Sequence, residues 1–215
     1  PGRLGDFWRF SSRITEVYKK HNHTGVRGVL KVTSGGNENM MVIVNAFDDF
    51  KDQGKFPNTD KSLKQLYNEI ERESIKAAKA GYKFVVRLNG TSDIRWENYF
   101  YKEMVSLHKK YDVVFYDYTK IANRKIPNNK VYDLTFSYSG VQSLHYKKQI
   151  DKALQAGMRL AAVFRYKSQF PKEFLGREVV SGDETDLRFL DPVNSVVALY
   201  AKGAAINDYT GFVID

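Results

Sequence analysis

Cysteine is missing from the chain altogether. That absence removes disulfides, thiolate nucleophiles, thiolate zinc sites and iron–sulfur clusters together. Long apolar runs are missing too. The longest, MMVIVNAF and RLAAVF, are strand-length and far below the roughly 20 residues that span a bilayer, so neither a transmembrane helix nor a membrane partner is expected. The first residues, PGRLGDFWRF, lack a basic segment followed by an apolar stretch, so no secretory leader is expected and a cytoplasmic location is the default. There is no Walker loop or dinucleotide fingerprint, because TSGGNEN has glycines without the spacing or the lysine. No serine sits in a nucleophile-elbow context.

What is present is core and positive charge. With 42% hydrophobic and 14% aromatic content over 215 residues, the chain can bury a substantial core and is expected to form one α/β domain over residues 1–215. Thirty-four Lys and Arg against 25 Asp and Glu give a net charge of +9, which favours polyanionic partners through long-range attraction and counterion release. The basic residues are spread through YKKHNH, LHKKYD and KIANRKIPNNK, a distribution that solvated helix faces share.

Apolar spacing in DFWRFSSRITEVYKK predicts a helix over 6–20 with Asp6 as its cap. GVRGVLKVTSGG and MMVIVNAF read as strands separated by SGGNEN, a possible hairpin. A long helix is expected from Thr59 or Asp60 to about Ala80, stopped by Gly81. From there strands (KFVVRL, DVVFYDY, VYDLTFSYS, RLAAVFR, NSVVALYAKG) alternate with helices RWENYFYKEMVSLHKKY and SLHYKKQIDKALQAG. Near-continuous apolar strands between helices call for parallel pairing. An incomplete or small parallel (β/α) barrel, TIM-like, is expected, with a doubly wound open sheet as the alternative.

In parallel α/β folds ligands bind beyond the carboxyl ends of the strands. Each strand here is followed by a polar group: Asn89 to Asp93 after FVVRL, Asp117 to Lys120 after VVFY, Ser137 to Ser139 after LTF, Arg165 to Lys167 after AAVF, and Lys202 after VVALY. Caps alone would need one short polar residue each, and Ser92 or Asp93 could serve the helix near Arg95. Arg87, Asp117, Lys120 and Arg165 exceed that need, since an ionic group at a sheet mouth is costly unless paired or met by a ligand. Asp183, Asp186 and Asp191, with Glu184, form an acidic run that could take Mg²⁺ or Mn²⁺ through oxygen ligands or could pair with Arg188 and Arg177. His21 and His23, two apart without a third ligand, read as surface residues.

The motifs VRLNGTSDIRWE, FYDYTK, LTFSYS, GDETDLRFLDP and AKGAAINDYTGFVID together resemble the phage and plasmid gene eighty-eight product family, from about residue 60 to the end. The resemblance implies a mobile-element origin, hence a host-cell cytoplasm, and makes 1–58 a divergent N-terminal part; it implies no assigned activity. Many members have a cysteine-rich segment before the long helix, similar to enzymes that hold an iron–sulfur cluster at a barrel mouth. This chain has no cysteine there. The matching residues keep Thr119, Ser139 and Arg188 beside those above.

The expected function is binding of nucleic acid or a phosphorylated small molecule at the carboxyl-end face. Arg87, Asn89, Ser92, Thr119, Ser137, Ser139, Arg165 and Arg188 would bind the ligand, and Asp93, Asp117 and Lys120 would supply any catalysis. If the protein is an enzyme, metal-dependent hydrolysis or transfer at phosphorus is expected, with Asp183, Asp186 and Asp191 as metal ligands. The alternative is a non-catalytic nucleic-acid-binding or interaction protein.

Overall fold

The computed structural model describes residues 26–33, 39–46, 60–89, 93–183 and 185–215. The helix expected over 6–20, its cap Asp6, the segments 34–38 and 47–59, His21, His23, Ser92 and Glu184 lie outside the described residues. The rest is a mixed α/β fold with mostly parallel pairing. The chain divides into two compact units: one runs to Asp117 and takes in Lys130–Tyr132, and the other holds Tyr118–Asn129 and Asp133–Asp215.

In the first unit, β1 (Val26–Thr33) and β2 (Asn39–Ala46) pair antiparallel from Val26↔Ala46 to Thr33↔Asn39, the hairpin that the Gly-Gly-Asn spacing permits. Helix α1 (Asp60–Lys79) buries Leu66, Ile70, Ser74 and Ala77, one stripe at spacings of three and four. Ser74 is tolerated on that stripe because its hydroxyl donates to Ile70 O at 2.7 Å. The helix stops at Gly81, whose φ of 75° a side chain would resist, with Tyr82 N donating back to Ala77 O at 2.9 Å. Strand β3 (Lys83–Arg87) follows, with Phe84, Val85 and Val86 all buried. It pairs parallel with β2 and with β4 (Val114–Thr119).

Between β3 and β4 the expected single helix is divided. A 3-10 turn, Trp96–Asn98, precedes α2 (Tyr101–Tyr111), whose N-cap is Phe100 with no side-chain cap. Ser92 or Asp93 was the expected cap for a start near Arg95; the helix begins later because Trp96 and Phe100 are drawn into the core, their rings edge to face at 6.3 Å. Met104 and Leu107 continue that buried face.

In the second unit, the strand order is β5 (Tyr132–Ser137), β6 (Leu160–Phe164), β9 (Val196–Tyr200), β8 (Arg177–Ser181) and β7 (Glu173–Phe174), with β10 (Val213–Ile214) also pairing β6. All these pairings are parallel except β7 with β8. Helix α3 (Leu144–Gln155) is capped by Ser143, which accepts from Tyr146 N. Phe136, Leu160, Ala162, Phe164, Val196 and Ala198 form the core with Ala153 of α3. Strands β7, β8 and β10 are additional to those the apolar runs predict. The first two are joined by Leu175-Gly176, both at positive φ (54° and 71°), a two-residue hairpin turn of the primed kind. Among the described residues β1 and β7 each pair with one neighbour, so neither run closes on itself.

Candidate functional site

At the carboxyl ends of β3 and β4 the polar residues bond mainly to one another. Asp117, 1% exposed, accepts from Asn89 N at 2.8 Å, Asn89 Nδ2 at 3.2 Å and Tyr132 Oη at 2.7 Å. The Asn89 side-chain oxygen accepts in turn from Ile94 N at 3.1 Å and Trp96 Nε1 at 3.0 Å, while its amide donates to Ile94 O at 3.0 Å. Asn89 thus ties Ile94 and Trp96 to the strand end, and Asp117 ties Asn89 to β4. Arg87 is half-buried at the last position of β3, and Asp93 is half-buried as well.

In the second unit Lys120 stands against Ser137 at the end of β5. Its Nζ lies 3.2 Å from Ser137 Oγ and 3.4 Å from Tyr146 Oη, over the rings of Tyr146 and Phe212 at 5.1 and 5.3 Å. Tyr146 Oη also donates to Ser137 O. Thr119 Oγ1 accepts from Ile121 N at 3.0 Å, and Ser139 Oγ from Val141 N at 3.3 Å, both buried and both holding local turns.

Arg165, expected to meet phosphate, is instead spent on its own chain. It is 7% exposed and donates to Asp215 Oδ1, Ile206 O and Asp208 O, with its guanidinium 4.5 Å from the Tyr209 ring centre. It fastens the segment from Gly203 to Asp215, whose β10 lies beside β6 and whose Gly211 takes a φ of 95° where its carbonyl meets Gly140 N at 2.7 Å. The bond from Arg165 holds the Asp215 carboxyl below the ordinary carboxylate range, outweighing desolvation. A carboxyl held low contributes stability above its unfolded pKa and loses it as pH falls through the lowered folded value. Amide protection at Arg165, whose N–H bonds Ile214 O at 2.8 Å, is therefore expected to stay constant from about pH 8 to about pH 5 and to fall only below the usual carboxylate pKa of roughly 4; loss already near neutrality would contradict the pairing.

Arg188 is 0% exposed. Its Nη2 donates to Gly182 O at 3.1 Å, and its Nε faces Asp191 Oδ2 at 3.2 Å as an ion pair without hydrogen-bond alignment. Gly182 has to be glycine because a Cβ there would collide with this guanidinium and with Val197 and Leu199. Burial pushes the Asp191 carboxyl up, against the pull of Arg188 and Arg159. Arg159, unremarked in the sequence, is the hub of this loop: it donates to Asp133 Oδ1 at 2.7 Å, Thr135 Oγ1 at 3.2 Å and Asp191 O at 2.8 Å.

Asp183 is placed differently from Asp191, and Asp186 is exposed. Among the described residues no group of three or more carboxylates or histidines gathers closely enough to hold a metal ion, and Asp183, Asp186 and Asp191 are not brought together as one such group. Asp183 follows β8, with its side chain 9% exposed and neither carboxylate oxygen hydrogen-bonded. Its ion-pair partners are Lys167 Nζ at 3.2 Å, just after β6, and Lys202 Nζ at 4.0 Å, just after β9. Their side chains are 65% and 54% exposed, and Lys202 Nζ lies 4.4 Å from the Tyr200 ring centre. Three neighbouring parallel strands, β6, β9 and β8, thus end in two solvent-facing ammonium groups around one enclosed carboxylate. Both lysines follow apolar runs in the sequence; that they share a carboxylate depends on β8, which those runs do not predict.

The family model described as Gene product 88 matches residues 43–215. No curated protein and no solved structure matches the chain.

Proposed function

We propose, from the premise that this chain belongs to the gene product 88 family, that it binds a phosphate-bearing ligand, a phosphorylated small molecule or nucleic acid, at the carboxyl ends of β6, β8 and β9. The observation that carries this reading is the Lys167–Asp183–Lys202 cluster. An enclosed carboxylate without hydrogen bonds is an expensive group, and its attraction to the two ammonium groups is what offsets the expense. The same attraction holds two otherwise floppy lysine ends side by side while leaving most of each to solvent. A phosphate arriving from solvent finds both cations already gathered, so less side-chain entropy is lost on binding. The incomplete barrel expected from the sequence belongs to the same proposal, because carboxyl ends loaded with polar side chains are where such folds bind ligands. The proposal is one of binding, and Asp117 and Arg165, whose side chains already bond within the fold, are not part of it.

Calorimetry with inorganic pyrophosphate tests it. Saturable binding is expected for the unaltered chain, with Lys167→Gln and Lys202→Gln each weakening it about tenfold or more, the loss of one charge-assisted contact. No binding by the unaltered chain, or unchanged affinity in the double variant, would overturn the proposal.

A further inference from the structure

A second surface, in the first unit, carries its own chemistry. Between α1 and the start of α2 lies an open groove of about 480 Å³, within the roughly 300–1,000 Å³ range of ligand sites. Tyr67 and Ser106 both line it, their hydroxyls 3.3 Å apart. One face of the Tyr67 ring carries Lys110, with Nζ 5.7 Å from the centre, and Tyr67 Oη accepts from the same ammonium at 3.1 Å. Tyr99, 42% exposed, lines the same groove. Lys64 and Lys102, both exposed, and Glu103 complete the polar lining.

We infer that this groove takes a nucleotide unit, a base with its phosphate. A large aromatic ring left nearly half in water offers a stacking face to any base. Two lysines beside it offer charge to a phosphate. A carboxylate in the same lining suits the exocyclic amino group of adenine, cytosine or guanine, as carboxylates accept from such groups elsewhere. Glu71 does not oppose the phosphate at full strength, because it accepts from Tyr111 Oη at 3.1 Å and pairs with Lys110 at 3.5 Å. The ligand differs from that proposed for β6, β8 and β9 in needing a base, and the two sites share no residue.

Fluorescence anisotropy with labelled oligo(dA) of about a dozen nucleotides reads this site, with unlabelled AMP as competitor. The single strand is expected to bind and a duplex of the same length to bind more weakly. Tyr99→Ala is expected to weaken the strand about tenfold and Tyr99→Phe hardly at all, since stacking needs the ring and not the hydroxyl. Lys64→Gln with Lys102→Gln should shallow the salt dependence by about 1.4 log units per log unit of salt, two phosphate contacts on a single strand. Pyrophosphate affinity should be untouched in all these variants, whereas Lys167→Gln and Lys202→Gln should leave Tyr99 dependence in place. Displacement by AMP at micromolar concentration assigns the groove to free nucleotides; displacement only by strands assigns it to nucleic acid. Equal affinity of Tyr99→Ala and the unaltered chain, with thermal melts showing both folded, would overturn the inference.

Discussion

Replacing Asp117 by alanine is expected to lower the unfolding free energy by about 3 kcal/mol or more, because three buried donors lose their acceptor at once and each stranded group costs roughly 1–3 kcal/mol. The donors are Asn89 N, Asn89 Nδ2 and Tyr132 Oη, on residues 2%, 2% and 0% exposed. Asn89 is itself the acceptor for Ile94 N and Trp96 Nε1, so the damage should spread to the turn that seats Trp96. Asp117→Asn keeps the shape but turns one acceptor into a donor facing a donor; a loss of about 1–3 kcal/mol is expected. Tyr132→Phe, which removes one donor and leaves the carboxylate two others, should cost less than either. Urea titration followed by tryptophan fluorescence and by circular dichroism orders the three. An Asp117→Ala chain with an unchanged midpoint would show that water replaces the network, and would return Asp117 to the catalytic candidates. The consequence for function is practical: any loss of binding in an Asp117 variant has to be measured against its lost stability before it is credited to the site.

Arg188→Ala is expected to cost about 3–5 kcal/mol, the usual loss when one partner of a buried ion pair is removed and the other is left behind. Arg188 is fully enclosed, and its partner Asp191 has a side chain only 12% exposed. The sign of the pH dependence follows from the Asp191 carboxyl, already pushed up by burial. Without Arg188 the folded pKa rises further above the unfolded one, the fold binds a proton the unfolded chain has released, and stability falls as pH rises past the unfolded value. The deficit should therefore be larger at about pH 7 than at about pH 4. A paired replacement, Arg188→Met with Asp191→Leu, removes both charges at similar volume and is expected to recover most of the loss, since apolar substitutes for buried pairs are often neutral or stabilising. If the single variant unfolds at the midpoint of the unaltered chain, the guanidinium is not bearing the enclosed carboxylate. If the pair is no better than the single variant, the loss came from the bond to Gly182 O and from packing, not from charge.

These two side chains also show where a linear reading stops. Asp117 is a catalytic candidate in the sequence because a charge near a strand end is costly and must be explained, and Arg188 is either a ligand contact or a partner for the acidic run beside it. The reason was sound, but the explanation lay inside the protein: Asp117 met Asn89 and Tyr132, and Arg188 met Asp191 and Gly182. Arg165 went the same way, to the carbonyls of Ile206 and Asp208. Partners distant in sequence leave no periodic signal, and tyrosines such as Tyr132 look like ordinary core until their hydroxyls are placed.

What the sequence determined by itself is the part that depends on neighbours along the chain. Apolar periodicity marked α1, the strand cores of β3 to β6 and β9, and the hairpin of β1 and β2; Gly81 marked the end of α1 because glycine takes its φ of 75° at no steric cost. The absence of cysteine ruled out thiolate and cluster chemistry without any coordinates. Only the tertiary structure decided which polar residues serve the fold and which face outward. Strand β8, five residues of which only the first is buried, carries too weak a pattern to be read, yet its place beside β9 is what sets Asp183 between Lys167 and Lys202. The physical reason is that hydrogen bonds and ion pairs act through a few ångströms of space, and residues 16 and 19 positions apart come that close only when parallel strands bring their carboxyl ends together.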